Sequence, residues 1–135
     1  MNLFMFENIL LSAKTIAVVG LSKDESKDSH SVAKYLQSKG YKIIPVNPTA
    51  EIILGEKVYS SLSKVKEKVD IVDVFRPSEE CESIVLESLK LKPKLVWLQL
   101  GIKNENAKKE CQKNSVVFVQ DKCIRTEHKR LTGFK

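Results

Sequence analysis

Glycine is scarce. The 135-residue chain holds five, and none completes a G-x-G-x-x-G turn: the apolar run TIAVV (15–19) reaches Gly20 and continues LSKDESKDS with no second glycine. The three-glycine dinucleotide fingerprint is therefore missing. Cysteine is rarer still: Cys81, Cys111 and Cys123 form no C-x-x-C spacing and leave an odd count, which argues against a disulfide framework or a zinc site. The two histidines, His30 and His128, are too few for a histidine metal cluster. Long hydrophobic runs are missing as well. The opening MNLFMFENILLSAK has no cationic start, carries Glu7 inside its apolar stretch and is too short to cross a bilayer. Neither signal peptide nor membrane anchor is expected, and a reducing cytoplasm is the expected location.

What is present is enough for one ordinary domain, since 42% of the residues are apolar. A single domain over 1–135 is expected. Leu3, Phe4, Phe6, Ile9 and Leu10 recur at helical spacing, so 1–13 reads as a helix packed on that domain. Beyond it come TIAVV (15–19), YKIIPV (41–46), DIVDVF (70–75), KLVWLQL (94–100) and SVVFVQ (115–120), read as five strands. Helical segments are expected near 29–39, 60–68, 78–91 and 103–113. This alternation, with strands apolar almost throughout, predicts an α/β fold: a doubly wound sheet of about five mainly parallel strands with helices on both faces. Pro45 is the one discordant residue, because a central strand needs the donor that proline lacks.

With 23 Lys and Arg against 17 Asp and Glu, the net charge of +6 points to an anionic partner. Nucleic acid is not the expected one, because the lysines of 90–113 are spread along helices as a solvated face would be.

In such a sheet ligands bind beyond the carboxyl ends of the strands. After the first strand, Gly20 permits positive φ, Ser22 adds a hydroxyl, Asp28 or Ser29 is a candidate N-cap, and Lys23 and Lys27 supply charge that further glycines would not. Two readings stay open: a phosphate cradle, or a solvated turn that ends a strand. The second strand ends in Asn47, Pro48 and Thr49, without the carboxylate that an NAD site places against the adenosine ribose.

The blocks IAVVGLS, VAKYLQSKGYKIIPVNP, EIILGEKVYSSL, VDIVDVFRPSE, VWLQLGI and DKCIRTEHKRL cover most of the chain. Through them it resembles the small stand-alone CoA-binding proteins, which have a Rossmann-like fold and whose domain is similar to the N-terminal CoA-binding domain of succinyl-CoA synthetase α subunits and of ADP-forming acyl-CoA synthetases. The resemblance implies coenzyme A, or an acyl-CoA, lying across the strand ends. Gly20, Leu21 and Ser22 would then meet the diphosphate, and Lys27 and Ser29 would lie at the following helix. Asn47 and Pro48 would border the nucleotide, and Arg76 and Pro77 would face it. The family often carries an aromatic residue after Ser29; here it is His30, read as a half-exposed first-turn residue.

Gln99 lies near the end of the fourth strand and can line the cleft, with Gly101 permitting close approach. Trp97 reads as core. Asp73, a carboxylate in an apolar strand, needs a partner, and Arg76 is the candidate; a cap on a neighbouring loop is the other reading. Cys123 follows the last strand beside Lys122, where it can be a small packing residue or a reactive thiol able to form a mixed disulfide with CoA. No nucleophile, base and orienter can be named together. A CoA-binding carrier, sensor or accessory module is thus expected, with an NAD(P)-binding redox or regulatory protein as the alternative.

Overall fold

The computed structural model describes residues 5–133; Leu3 and Phe4 of the expected N-terminal helix lie outside the described residues. That helix, α1, spans Met5–Ser12. The five strands that form the main sheet are β1 (Thr15–Val19), β2 (Lys42–Val46), β5 (Ile71–Val74), β6 (Leu95–Leu98) and β7 (Val117–Val119). They pair in parallel in the order β2-β1-β5-β6-β7. This is the doubly wound α/β sheet that the alternation predicts, with the Rossmann-like fold that the resemblance implies.

Alternate residues of each strand enter different layers. Ile16, Val18, Ile71, Leu95 and Trp97 pack with Leu10, with Val32 and Leu36 of α2 (Asp28–Ser38), and with Ile124 of α5 (Ile124–Thr132). Ala17, Val19, Val72, Val74, Val96 and Leu98 pack instead with Val85 of α3 (Cys81–Leu89) and with Ala107 and Cys111 of α4 (Glu105–Lys113). Burial on both faces is why these strands are apolar throughout. Trp97 is fully buried, donates its indole N–H to the Lys122 carbonyl at 2.7 Å and meets Phe6 edge-on at 5.6 Å. Among the described residues no helix is long and apolar enough to cross a membrane.

One discordant residue is explained, one expected helix is corrected, and one helix stands where none was expected. Pro45 lies within β2 and is tolerated there because β2 is an edge strand. Gly20 donates to the Val46 carbonyl on the β1 side, so Pro45 and its missing N–H face outward, where the Pro45 carbonyl accepts from Tyr59 at 2.9 Å. The segment 60–68 is not an α-helix. A two-stranded hairpin, β3 (Ile52–Ile53) and β4 (Glu56–Lys57), precedes it, and only Leu62–Lys64 forms a single 3-10 turn. Helix α5, which closes the fold, carries no apolar stripe long enough to be read from sequence.

Candidate functional site

β1 and β5 lie side by side, but the chain leaves them toward opposite faces: after β1 to α2, after β5 to α3. Their exits part and leave a crevice at the switch point of the sheet. A cleft of about 490 Å³ opens there. The β1 exit contributes Val19, Gly20 and Ser22, and the β2 exit Val46, Asn47 and Pro48. Arg76 comes from the β5 exit, Glu80 from the 3-10 turn Ser78–Glu80 that follows it, Ile84 and Glu87 from α3, and Ser60, Ser61 and Leu62 from the segment after the hairpin.

Gly20 holds φ +84°, and a Cβ there would stand 2.5 Å from the Phe75 carbonyl oxygen and 2.9 Å from Arg76 Cδ. Only glycine fits so close to β5. The loop beyond it is fastened to α2: the Ser22 N–H donates to Ser29 Oγ at 3.0 Å, the Asp24 N–H donates to Ser22 Oγ at 3.0 Å, and His30 Nδ1 donates to the Ser22 carbonyl at 2.9 Å. His30 is buried by this contact rather than half-exposed. Lys27, not Asp28 or Ser29, occupies the N-cap of α2, and its side chain makes no cap bond. Asn47 joins the two exits: Nδ2 donates to the Leu21 carbonyl at 2.9 Å, while Oδ1 accepts the amides of Thr49 (2.8 Å) and Ala50 (3.2 Å).

The cleft thus brings together Gly20, Ser22, Asn47, Pro48 and Arg76. Leu21 is fully buried in the core and Ser29 supports the loop from behind. Lys27 and Pro77 are exposed and do not line the cleft. Gln99 turns to the other side, where Oε1 accepts the Ile124 N–H at 3.2 Å; Gly101 is exposed and donates to Asp121 Oδ1 at 2.7 Å. Sequence reasoning missed Ser60, Ser61, Leu62, Ile84 and the two glutamates. The parallel bridge between Val46 and Tyr59 delivers the serines, and no local pattern announces it.

Arg76 is the cation of the cleft, and it is engaged. Nε donates to Glu80 Oε1 at 3.0 Å and Nη2 to Oε2 at 2.9 Å, a fork on one carboxylate. The pair holds the Glu80 carboxyl below its ordinary range. An anion entering here competes with Glu80 for the guanidinium or meets its remaining nitrogen. Asp73 does not reach Arg76. It is fully buried on β5 with neither carboxylate oxygen hydrogen-bonded, which overturns both readings of its sequence position.

A parallel sheet ordered this way, with its crevice between β1 and β5, places the protein in the Rossmann-like class. Within that class, residues 14–129 match the CoA binding domain, and the chain belongs to that family. It is 41% identical to the uncharacterized protein YneT of Bacillus subtilis, covering 90% of both chains. It also superposes on a solved Thermus thermophilus structure with a TM-score of 0.90 and 44% identity, over 97% of this chain and 99% of that one. It is 33% identical over 75 residues to an ADP-forming acetate–CoA ligase of Methanocaldococcus jannaschii, matching half of this chain and 11% of the ligase.

Proposed function

We propose that this chain binds coenzyme A or an acyl-CoA across the switch-point cleft and serves as a carrier, sensor or accessory module without catalysis of its own. The observation that carries the reading is the convergence of Gly20, Ser22, Asn47, Pro48 and Arg76 on one crevice in a member of the CoA-binding family. In this reading the Gly20–Ser22 backbone meets the diphosphate, Asn47 and Pro48 border the nucleotide, and Arg76 exchanges Glu80 for a phosphate. Lys27, on the exposed loop, draws the anion in at longer range.

Dephospho-CoA lacks only the ribose 3′-phosphate, so comparing it with CoA isolates one anionic group. A charge-assisted hydrogen bond to that group is worth about 1.5–3 kcal/mol, and calorimetry is expected to show CoA binding roughly ten- to a hundred-fold more tightly. Arg76→Ala or Lys27→Ala narrows the gap, as does added salt. Equal binding of the two ligands by the wild-type protein at low salt would mean that the basic residues do not read the 3′-phosphate.

A further inference from the structure

We propose that the end of the sheet opposite the cleft docks on an anionic membrane surface, through the exposed lysines Lys14, Lys66, Lys68, Lys90, Lys92 and Lys94 with Leu11 as an apolar tooth. The chain then lies on the headgroups without spanning them, and the cleft stays open to solvent. This docking does not depend on what the cleft binds.

The strands of the main sheet all run parallel, so their starts share one end and their exits, with the cleft, the other. Backbone hydrogen bonds set the starts side by side: the Lys42 amide donates to the Lys14 carbonyl at 2.8 Å, the Asp70 amide to the Thr15 carbonyl at 3.1 Å, and the Lys94 amide to the Asp70 carbonyl at 2.8 Å. Lys66 and Lys68 lead into β5, and Lys90 and Lys92 into β6. Lys92 holds φ +53° and the neighbouring Pro93 is buried, so the turn presents Lys92 and Lys94 on either side of a fixed corner. Leu11, 50% exposed, stands in the last turn of α1. That turn lies at the same end, because the Leu10 carbonyl accepts from the hydroxyl of Tyr41, one residue before β2.

All six lysines are exposed, and among the described residues none has an ion-pair partner. Carboxylates of the same end are engaged. Glu67 is bridged by Lys42 and Glu110 by Lys113, while Asp70 is buried, its Oδ2 accepting the amides of Lys14 (2.9 Å) and Thr15 (3.2 Å). Much of the chain's net charge of +6 therefore gathers on one face.

The residue types choose the partner. Protein interfaces are depleted in lysine and anchored by aromatic rings or arginine, and nucleic acid is gripped by arginine forks or by stacking on aromatic rings. Here the six cations are lysine without exception, and among the described residues no aromatic ring is exposed. A lysine's flexible apolar stem and point charge suit a layer of headgroups, where no fixed geometry is asked of the cation and each charge adds its share. The exposed leucine supplies the second, apolar attachment that surface binding uses.

The test is co-sedimentation of the full chain at low salt with vesicles of phosphatidylcholine alone, and of phosphatidylcholine and phosphatidylglycerol in equal parts. Binding is expected to the mixed vesicles only, and added salt releases it. Each lysine near an anionic surface is worth roughly fivefold in affinity, so Lys14→Gln, Lys92→Gln and Lys94→Gln together weaken binding by about a hundredfold. Leu11→Ser weakens it by about tenfold. The same charge removed elsewhere, by Lys108→Gln, Lys109→Gln and Lys122→Gln, changes it by no more than about fivefold. Each variant keeps the wild-type melting temperature, so a loss reports the surface and not the fold. No binding to the mixed vesicles, equal binding to both kinds, equal losses in the two triple variants, binding unaltered by Leu11→Ser, or tighter binding to a mixed-sequence DNA duplex would overturn the proposal. The cleft reading stands or falls separately, on CoA calorimetry.

Discussion

Gly20→Ala is expected to destabilise the protein by about 2–5 kcal/mol, as read by denaturant unfolding. Two independent costs add. An L-residue in the left-handed region loses roughly 1–2 kcal/mol, and forcing an extra carbon into a closed contact about 1–3 kcal/mol more. The second arises because the new Cβ meets the Phe75 carbonyl at 2.5 Å. Arg76 Cδ, at 2.9 Å, can swing aside, but Phe75 cannot, since its N–H donates to the Val19 carbonyl at 2.9 Å and locks β5 to β1. The strand ends must part at the cleft. Where the variant still folds, CoA affinity falls by more than about tenfold, the loss expected from one misplaced charge-assisted hydrogen bond. Unchanged stability and affinity would remove Gly20 from the cleft's architecture.

Asp73→Val is expected to move stability the other way, by about 1–3 kcal/mol at pH 7, the cost of leaving a buried polar group unsatisfied. Valine matches the aspartate in shape, suits a strand and joins the surrounding apolar layer. The pH dependence follows from linkage. The folded-state pKa of Asp73 is raised above the ordinary 3.8, so the stability associated with its protonated form is intact below that value and is lost as pH rises through the folded pKa. The advantage of Asp73→Val over wild type therefore grows with pH above 3.8. Thermal melts of both proteins at several pH values check this. A variant less stable than wild type at pH 7 would show that the carboxylate makes a contact that holds the fold.

The sheet was legible because burial on two faces leaves little room for polar residues, so TIAVV and KLVWLQL announce themselves. The segment 60–68 misled because Leu62, Val65 and Val69 repeat at helical spacing. All three do enter one core layer, but they reach it through a single 3-10 turn and extended backbone. Helix α5 was hidden because a polar residue shares its packing with Ile124 and Leu131. His128 is buried against Tyr35, whose hydroxyl lies 2.7 Å from Nδ1, and burial followed by the charge of Lys39 lowers the histidine's pKa. At the cleft, Gly20, Asn47 and Arg76 stand immediately after strands, where topology alone nominates them. Ser60, Ser61 and Glu87 reach it only through the hairpin's return and the pitch of α3, which depend on tertiary packing. The identity of Asp73 is plain in the sequence. Its isolation is a property of the folded core.

The most direct measurement is a calorimetric titration of the full chain with CoA and, under identical low-salt conditions, with NAD. The β2 exit offers Asn47 and Pro48 where an NAD site presents a carboxylate, so a saturable one-site heat is expected with CoA and none with NAD at the same concentrations. NAD binding as tightly as CoA, or CoA giving no heat of binding, would contradict the account.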